Sequence, residues 1–155
     1  RAAKSGPFER VLEYPILAAS GTAGPKLREG DRQVPEGVYR VLSLNPNSRF
    51  HLSLELDYPN VWDRAGAAEE GRTEPGSDIF IHGGAKSVGC LAIGDPAIEE
   101  LFRLVAETPP ENVTVLLCPS DPAAPFARAA AADLPQWIDE VDAALDAELR
   151  RVGLR

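Results

Sequence analysis

The sequence has little of the chemistry that builds metal sites and disulfide scaffolds. Its 155 residues include two cysteines, Cys90 and Cys118, and two histidines, His51 and His82. Small disulfide-stapled domains carry many more cysteines. A structural zinc site needs four ligands in spacings such as C-x2-C or H-x3-H, and these spacings are absent. We therefore expect neither a metal ion nor another cofactor.

Basic residues and long apolar runs are also scarce. The chain has 16 Lys and Arg against 24 Asp and Glu, a net charge of -8, so we expect no nucleic acid partner. Apolar residues never continue for the roughly 18 positions that a membrane-spanning helix needs, and we expect no such helix. The length fits a single domain over residues 1–155. Because the chain begins at Arg1, the sequence leaves open whether a leader or anchor has been removed.

Apolar patterns predict five β-strands. The segment 49–56 alternates most clearly, because Phe50 and three leucines fall on one face and His51 on the other. Pro15 interrupts the first segment, which is typical of an edge strand. The five predicted strands are 8–18, 38–44, 49–56, 78–82 and 113–118.

Two helices are predicted from their end signals and apolar stripes. Asp95 is the predicted N-cap and Pro96 the first residue of a helix that ends before Pro109. A C-terminal helix is predicted over about 134–152, and the segment 57–76 as a long irregular loop. One face of the C-terminal helix carries Trp137, Val141, Leu145 and Leu149. Strands without βαβ alternation, together with these helices, predict a mixed β or α+β domain.

The stretch IHGGAKSVGC, residues 81–90, carries the candidate chemistry of the chain. A cysteine is nucleophilic as its thiolate, and a histidine takes up a proton near neutral pH. His82 ends a predicted strand, and the small residues that follow permit a chain reversal that brings its imidazole to the Cys90 thiol. The backbone N–H groups of Gly89 and Cys90 would then be free to donate to an oxyanion, with Ser87 orienting one of them.

Spacing alone leaves two other interpretations of this stretch open. Free cysteine is among the most buried residue types, so Cys90 and His82 fit a structural thiol beside a turn histidine equally well. A phosphate-binding loop is the third interpretation, although GGAKSVG lacks the G-x4-GK[ST] order of such loops.

The run HGGAKSVGC, residues 82–90, resembles the H-G…S-x-G-C signature of the L,D-transpeptidase catalytic domain family, often called the YkuD domain. The segments 24–41, 50–65 and 77–102 are similar in order and spacing to its YafK-like branch. The resemblance covers residues 24–105 and implies a β-sandwich with the cysteine and histidine in a groove and a helix after the motif. The C-terminal helix lies outside it. Family members act on peptidoglycan stem peptides.

The resemblance implies a role for each residue of the motif. Cys90 corresponds to the nucleophile, which attacks the carbonyl at the L-centre of the third stem residue, usually diaminopimelate, and forms a thioester. His82 corresponds to the general base, and the backbone carbonyl of Gly83 orients its ring. Ser87 and Gly89 match the other signature positions. The amine of a second stem peptide, or water, then resolves the thioester.

Residues outside the motif are predicted to bind the substrate. Tyr58, Asn60, Asp63 and Arg64 lie in a family-like segment, and Gly84 belongs to the motif itself. Arg64 would bind a carboxylate of the stem peptide and Asp63 its amine through charge-assisted hydrogen bonds. The structural alternative for these charged residues is a salt-bridged loop.

The predicted function is that of a peptidoglycan-modifying cysteine L,D-transpeptidase. Many family members read S-x-G-C-[IV]-R, whereas Leu91 and Ala92 follow Cys90 here, as is common in the YafK-like branch. That branch includes a hydrolase that detaches a lipoprotein from peptidoglycan. The first alternative is therefore a hydrolase that releases diaminopimelate-linked peptides or a lipoprotein, including a secreted effector. The second is an inactive peptidoglycan-binding domain. The expected location is extracytoplasmic, in the periplasm or cell envelope.

Overall fold

The computed structural model of the chain describes residues 8–124, 126 and 134–155. A short 3-10 turn, Pro110–Asn112, precedes the last strand. In the described part of the chain, no helix has both the length and the apolar character needed to cross a bilayer. The helices and the other strands are, in chain order, β1 (Gly37–Tyr39), β2 (Val41–Ser48), β3 (His51–Leu56), α1 (Val61–Glu69), β4 (Phe80–His82), β5 (Leu91–Ala92), α2 (Asp95–Ala106), β6 (Val115–Leu117) and α3 (Ile138–Arg151).

The strands form two sheets, and the smaller one lies between the larger one and α3. The larger sheet has the order β2-β3-β4-β5, and β1 pairs with β6 in the smaller one. Tyr39 and Leu117 of the smaller sheet pack with Leu56 of the larger sheet in one apolar cluster. Val38 and Leu116, on the opposite face, pack against α3. This arrangement confirms the predicted mixed α+β fold with a helix after the motif and a C-terminal helix.

The register of the larger sheet separates an apolar face from a polar face. Directly paired residues on neighbouring strands point to the same side of a sheet. The apolar row across the four strands is Leu44, Leu54, Ile81 and Leu91. The other row is Asn45, Ser53, His82 and Ala92. His82 therefore points away from the apolar core of the sheet, toward the side that carries Asn45 and Ser53.

The alternation predicted for segment 49–56 is confirmed for the leucines but wrong for Phe50. His51 has a φ of 75°, in the left-handed region, and the pairing of β2 with β3 is irregular between Asn45 and Ser48. Strand alternation is lost at such a residue. The Phe50 ring consequently lies against the imidazole of His82, with ring centroids 4.5 Å apart, and not on the leucine face.

The N-terminal segment does not form the strand predicted over residues 8–18. Only an isolated bridge joins Ala18 to Ala92. Leu17 N–H donates to the Ala92 carbonyl at 2.8 Å, and Ala92 N–H donates to the Ala18 carbonyl at 2.9 Å. Pro15 has no N–H to extend this ladder, and β5 offers only two residues to pair with. The segment therefore covers the outer edge of β5 over a few residues only.

Helix α1 occupies part of the segment that was predicted to be an irregular loop. Asn60 is its N-cap: the Asn60 side chain accepts the backbone N–H groups of Trp62 and Asp63, and the Asp63 carboxylate accepts the Asn60 N–H. This reciprocal pair is a capping box with aspartate in place of the usual glutamate. The N-x-x-D spacing of residues 60–63 was the sequence signal for this helix.

The other two helices begin a little away from their predicted starts. Gly94, with a φ of 85°, is the N-cap of α2, and Asp95 is its first residue. The Asp95 carboxylate is used elsewhere, because its Oδ1 accepts the N–H of Gly84 at 2.7 Å. Helix α3 begins at Ile138 and not at 134. The predicted apolar face of α3 is confirmed, since Val141, Leu145 and Leu149, together with the preceding Trp137, are buried.

The contact between Gly66 of α1 and Trp137 can be tested by adding one methyl group. Replacing a helical glycine by alanine ordinarily stabilises a helix by roughly 0.5–1 kcal/mol. A Cβ at Gly66 would lie 2.5 Å from the Trp137 ring, so we expect Gly66→Ala to lose on the order of 1–3 kcal/mol of unfolding free energy in urea denaturation. As a control, Ala68→Gly on the exposed face of α1 should lose only about 1 kcal/mol. A Gly66→Ala variant more stable than the wild type would contradict this packing.

Candidate active site

The His82 imidazole is buried and held in one orientation. Its residue is 2% exposed. Nδ1 lies 2.6 Å from the Gly83 carbonyl oxygen, which can only accept a hydrogen bond, so Nδ1 carries the hydrogen. In the neutral ring Nε2 then holds the lone pair. Nε2 lies 3.3 Å from Ser87 Oγ, which donates to it in this tautomer.

Gly83 and Gly84 form a turn that has no room for a larger first residue. A Cβ at Gly83 would lie 2.5 Å from the Phe50 carbonyl oxygen and 2.6 Å from Asp95 Oδ1. Gly83 N–H donates to the Leu52 carbonyl at 3.1 Å, and Gly84 has a φ of 71°. The turn after β4 is thus fixed to β3 and α2, which places the Gly83 carbonyl within hydrogen-bond distance of His82 Nδ1.

Cys90 lies on the same side of the sheet as His82. In the parallel pairing of β4 with β5, Ile81 faces Leu91. One residue earlier, Cys90 lies beside Phe80, and side chains two residues apart on a strand point the same way. Cys90 and His82 line one cavity of about 240 Å³. The remaining lining residues are Asn45, Asn47, Ser48, Arg49, Phe50, Ser53 and Phe80.

The structure stabilises the thiol form of Cys90 and not the thiolate. Burial raises the pKa of Cys90, and the backbone N–H of Phe80 opposes this increase in pKa; the nearby Asp78 charge raises the pKa further and Lys26 lowers it. The Cys90 thiol donates to the Asp78 carbonyl, with Sγ and O 3.5 Å apart. A reaction that starts from Cys90 therefore needs a base to remove its proton.

The predicted oxyanion donors are only partly available. Gly89 has a φ of 83°, and its N–H donates to Ser20 Oγ at 2.7 Å, so it is not free as predicted. Ser20 in turn donates to the Arg32 carbonyl at 2.6 Å. Among the described residues, no hydrogen-bond acceptor faces the N–H of Cys90. The contact from Ser20, 69 residues away along the chain, had no signal in the sequence.

Three of the predicted substrate-binding residues lie outside the cavity of Cys90, and their role in substrate binding stays a prediction. Tyr58 is 5% exposed and packs in the core, where its hydroxyl donates to the Pro75 carbonyl at 2.6 Å. Asn60 and Asp63 cap α1, and Asp63 also accepts the Tyr39 hydroxyl at 3.1 Å. None of the three lines the cavity of Cys90, because the segment that contains them packs against the smaller sheet and not against β4.

Arg64 and Gly84 have different positions. Arg64 lines a separate cavity of about 490 Å³, together with Glu29, Glu74 and Ser77. Its predicted role in carboxylate binding stays a prediction. Gly84 lies in the turn after His82 and holds the Asp95 carboxylate through its N–H, so it shapes the site without lining the cavity.

The remaining histidine and cysteine lie outside the cavity. His51 is exposed and pairs with Glu99 at 2.7 Å. Cys118 packs with the apolar cluster around α3, and burial raises its pKa. No group of three or more His, Cys, Asp and Glu side chains that could hold a metal ion occurs in residues 8–124, 126 and 134–155.

Comparison with protein families agrees with this arrangement. The profile of the YkuD family, described as the L,D-transpeptidase catalytic domain, matches residues 7–115. The chain belongs to this family. His82 of the HGG turn and Cys90 of the S-x-G-C loop, the two segments that resemble the family signature, line the cavity.

The chain is similar to curated relatives from Escherichia coli. It is 39% identical over 105 residues, 66% of its own length, to the Escherichia coli protein named "Putative L,D-transpeptidase YafK". The matched part is 40% of that relative, so the chain spans less than half the length of the curated relatives it matches.

A solved structure shares the fold over most of this chain. A single-site mutant of the helical cell shape determining protein Pgp2 from Campylobacter jejuni has a TM-score of 0.52 at 22% identity, over 84% of this chain and 42% of that one. The unmodified Pgp2 has a TM-score of 0.49 at 27% identity, over 63% of this chain and 35% of that one.

The protonation state of Cys90 can be tested by thiol titration. In a Cys118→Ser background, we expect the absorbance of the Cys90 thiolate at 240 nm to appear at a higher pH than in a short cysteine peptide measured alongside, because burial raises the pKa of this thiol. A midpoint below that of the peptide would instead indicate a preformed thiolate and imidazolium pair.

The buried carboxyl of Asp63 predicts a pH dependence of stability. Burial raises its pKa from 3.8 to about 6, although the Asn60 N–H and the Tyr39 hydroxyl act in the opposite direction. As the pH falls from 7 to 4, the folded protein binds a proton before the unfolded chain does, so Asp63 becomes less destabilising. Relative to Asp63→Asn, the wild type should gain on the order of 2–3 kcal/mol over this range in urea denaturation.

A second carboxyl serves as the control for the Asp63 measurement. Glu111 is exposed, and Glu111→Gln removes one carboxyl without changing a buried group. Its stability difference from the wild type should vary much less between pH 7 and pH 4. If Asp63→Asn and Glu111→Gln follow the wild type equally closely, Asp63 does not titrate in this range in the folded protein.

Proposed function

We propose that the chain is the catalytic region of a cysteine enzyme that acts on peptidoglycan stem peptides through a thioester on Cys90. The observation that supports this most is that Cys90 and His82 line one cavity while the hydrogen bond from Nδ1 to the Gly83 carbonyl leaves Nε2 as the base. A structural thiol would need neither an oriented imidazole nor an open cavity beside it.

The first step is removal of the thiol proton. At rest the thiol donates to the Asp78 carbonyl and Ser87 donates to His82 Nε2. Rotation of the Cys90 side chain, with the Ser87 hydroxyl turning away from Nε2, exchanges the carbonyl for the imidazole as the acceptor of the thiol proton. His82 Nε2 takes the proton as Sγ attacks, so the thiolate forms only in the presence of substrate. The raised pKa of Cys90 is consistent with this order of events.

Acylation of the enzyme follows at the L-centre carbonyl of diaminopimelate. Sγ bonds to the carbonyl carbon, and the negative charge moves to its oxygen. The Cys90 N–H is the backbone donor for this oxyanion, since the Gly89 N–H is held by Ser20. The imidazolium then returns its proton to the leaving amine as the carbon–nitrogen bond breaks, which leaves a thioester and neutral His82.

The second half-reaction decides between transferase and hydrolase. His82 removes a proton from the incoming amine of a second stem peptide, or from water, as that group attacks the thioester and displaces Sγ. An amine gives a 3-3 crosslink and water gives a tripeptide. A diaminopimelate-linked lipoprotein or peptide would leave as the amine when Cys90 is acylated, and water would then hydrolyse the thioester. A substrate in the cell wall places this activity outside the cytoplasm.

Mass spectrometry of muropeptides tests the proposal. Wild-type protein is incubated with purified disaccharide-tetrapeptide and with crosslinked muropeptides. We expect loss of the terminal D-alanine, with 3-3 dimers for a transpeptidase or tripeptide without dimers for a hydrolase. Cys90→Ser should lower kcat/KM on the order of 10³-fold or more, and His82→Gln roughly 10²- to 10⁴-fold.

The other cysteine of the chain provides the matched control. Cys118→Ser makes the same atomic change outside the cavity and should keep wild-type activity. Wild-type protein that binds the muropeptides without converting any of them would favour an inactive binding domain and would refute the catalytic proposal.

A further inference from the structure

Arg49 is an exposed cation in the cavity of the catalytic pair. It lies in the turn between β2 and β3 and lines the cavity together with Cys90 and His82. Within the described part of the chain, its guanidinium has no hydrogen-bond or ion-pair partner. Most other arginines of the described regions form hydrogen bonds or ion pairs within the protein. Arg40, for example, donates to the Thr114 hydroxyl at 3.0 Å. Arg49 is therefore available to a ligand.

Arg49 provides the positive charge of the cavity lining, although the Asp78 carboxylate is close enough to Cys90 to raise its pKa. The other lining side chains are Asn, Ser, Phe, His and Cys, and the lining includes no carboxylate. The chain as a whole carries a net charge of -8, which disfavours the approach of an anionic substrate. The Arg49 guanidinium gives the cavity of Cys90 and His82 a preference for an anion, although the protein as a whole is acidic.

Neighbouring contacts hold the Arg49 backbone close to the catalytic imidazole. The next residue, Phe50, packs its ring on His82 with centroids 4.5 Å apart. Phe50 N–H donates to Ser48 Oγ at 3.1 Å, on the other side of Arg49. The turn is thus fixed at both neighbours of Arg49, while the Arg49 side chain itself remains free to meet a ligand.

The position that carries arginine in many family members cannot supply a cation here. Ala92 occupies it, is fully buried, and hydrogen-bonds to the N-terminal segment at Ala18. Arg49 is the one permanently charged side chain among the residues that line the cavity.

We infer that Arg49 is the carboxylate-binding residue of this site and selects stem peptides that carry a free carboxylate on diaminopimelate or on the terminal D-alanine. This inference rests on the proposed function. A guanidinium matches a carboxylate with two parallel N–H···O bonds, which an ammonium cannot reproduce. Two carboxylates of the substrate have this chemistry: the one at the D-centre of diaminopimelate and the one of the terminal D-alanine.

Binding measurements in the Cys90→Ala background test Arg49 independently of turnover. Calorimetry compares the disaccharide-tetrapeptide with two forms in which either the D-centre carboxylate or the D-alanine carboxylate is amidated. We expect Arg49→Gln to weaken binding of the unmodified peptide roughly 10- to 100-fold. One amidated form should bind to the Cys90→Ala protein as weakly as the unmodified peptide binds to the Arg49→Gln variant. Arg49→Gln should not weaken binding of that form further, which identifies the carboxylate that Arg49 binds.

Two further variants test whether the effect of Arg49 on binding depends on the geometry of its guanidinium and on its position, and not only on net charge. Arg49→Lys keeps the charge and should recover only part of the affinity, because the bidentate contact is lost. Arg103→Gln removes one positive charge from the surface of α2, where Arg103 pairs with Glu107, and should bind like the parent. Thermal unfolding of each variant checks that it is folded.

The outcomes distinguish this inference from the proposed function. Equal affinity of the parent and Arg49→Gln, or an unchanged preference for the carboxylate in Arg49→Gln, overturns the role of Arg49. If the preference for the carboxylate is lost in Arg64→Gln instead, the carboxylate binds in the cavity of Arg64, and the role of Arg49 is again overturned. Arg49-dependent binding without turnover by the protein that retains Cys90 would support this inference while refuting the catalytic proposal.

Discussion

The parallel pairing of β4 with β5 is the constraint on which the site depends. The register that sets Ile81 against Leu91 fixes both the face and the offset of His82 and Cys90. Since strand neighbours lie about 4.8 Å apart and alternate in direction, a shift of one residue would turn one of the two side chains into the apolar core. This register therefore limits the conformations of the motif loop between His82 and Cys90.

Other parts of the fold maintain that register from both sides. On one side β3 pairs with β4 and places Ser53 beside His82. On the other, the N-terminal segment bonds to both backbone groups of Ala92, and Ser20 holds the Gly89 N–H. The motif loop is therefore enclosed by segments that precede it in the chain, and a change in the N-terminal segment can alter the candidate site without touching Cys90 or His82.

Electrostatics in the site favour the thiol form of Cys90. Burial raises the pKa of Cys90, and the Gly83 carbonyl fixes the tautomer of His82 without adding a negative charge. A carboxylate in that position would stabilise an imidazolium and with it a permanent thiolate. With a neutral carbonyl in this position, Arg49 is the permanently charged side chain of the cavity.

Local patterns in the sequence determined the catalytic candidates, the leucine face of β3 and the apolar face of α3. These properties depend on spacing within a few residues, which periodicity and the H-G…S-x-G-C signature record. The tertiary structure alone decided that Tyr58 and Asp63 belong to the core and a helix cap, and that Arg49 enters the cavity. Such placements depend on contacts between segments distant in the chain, where packing and burial override local preference.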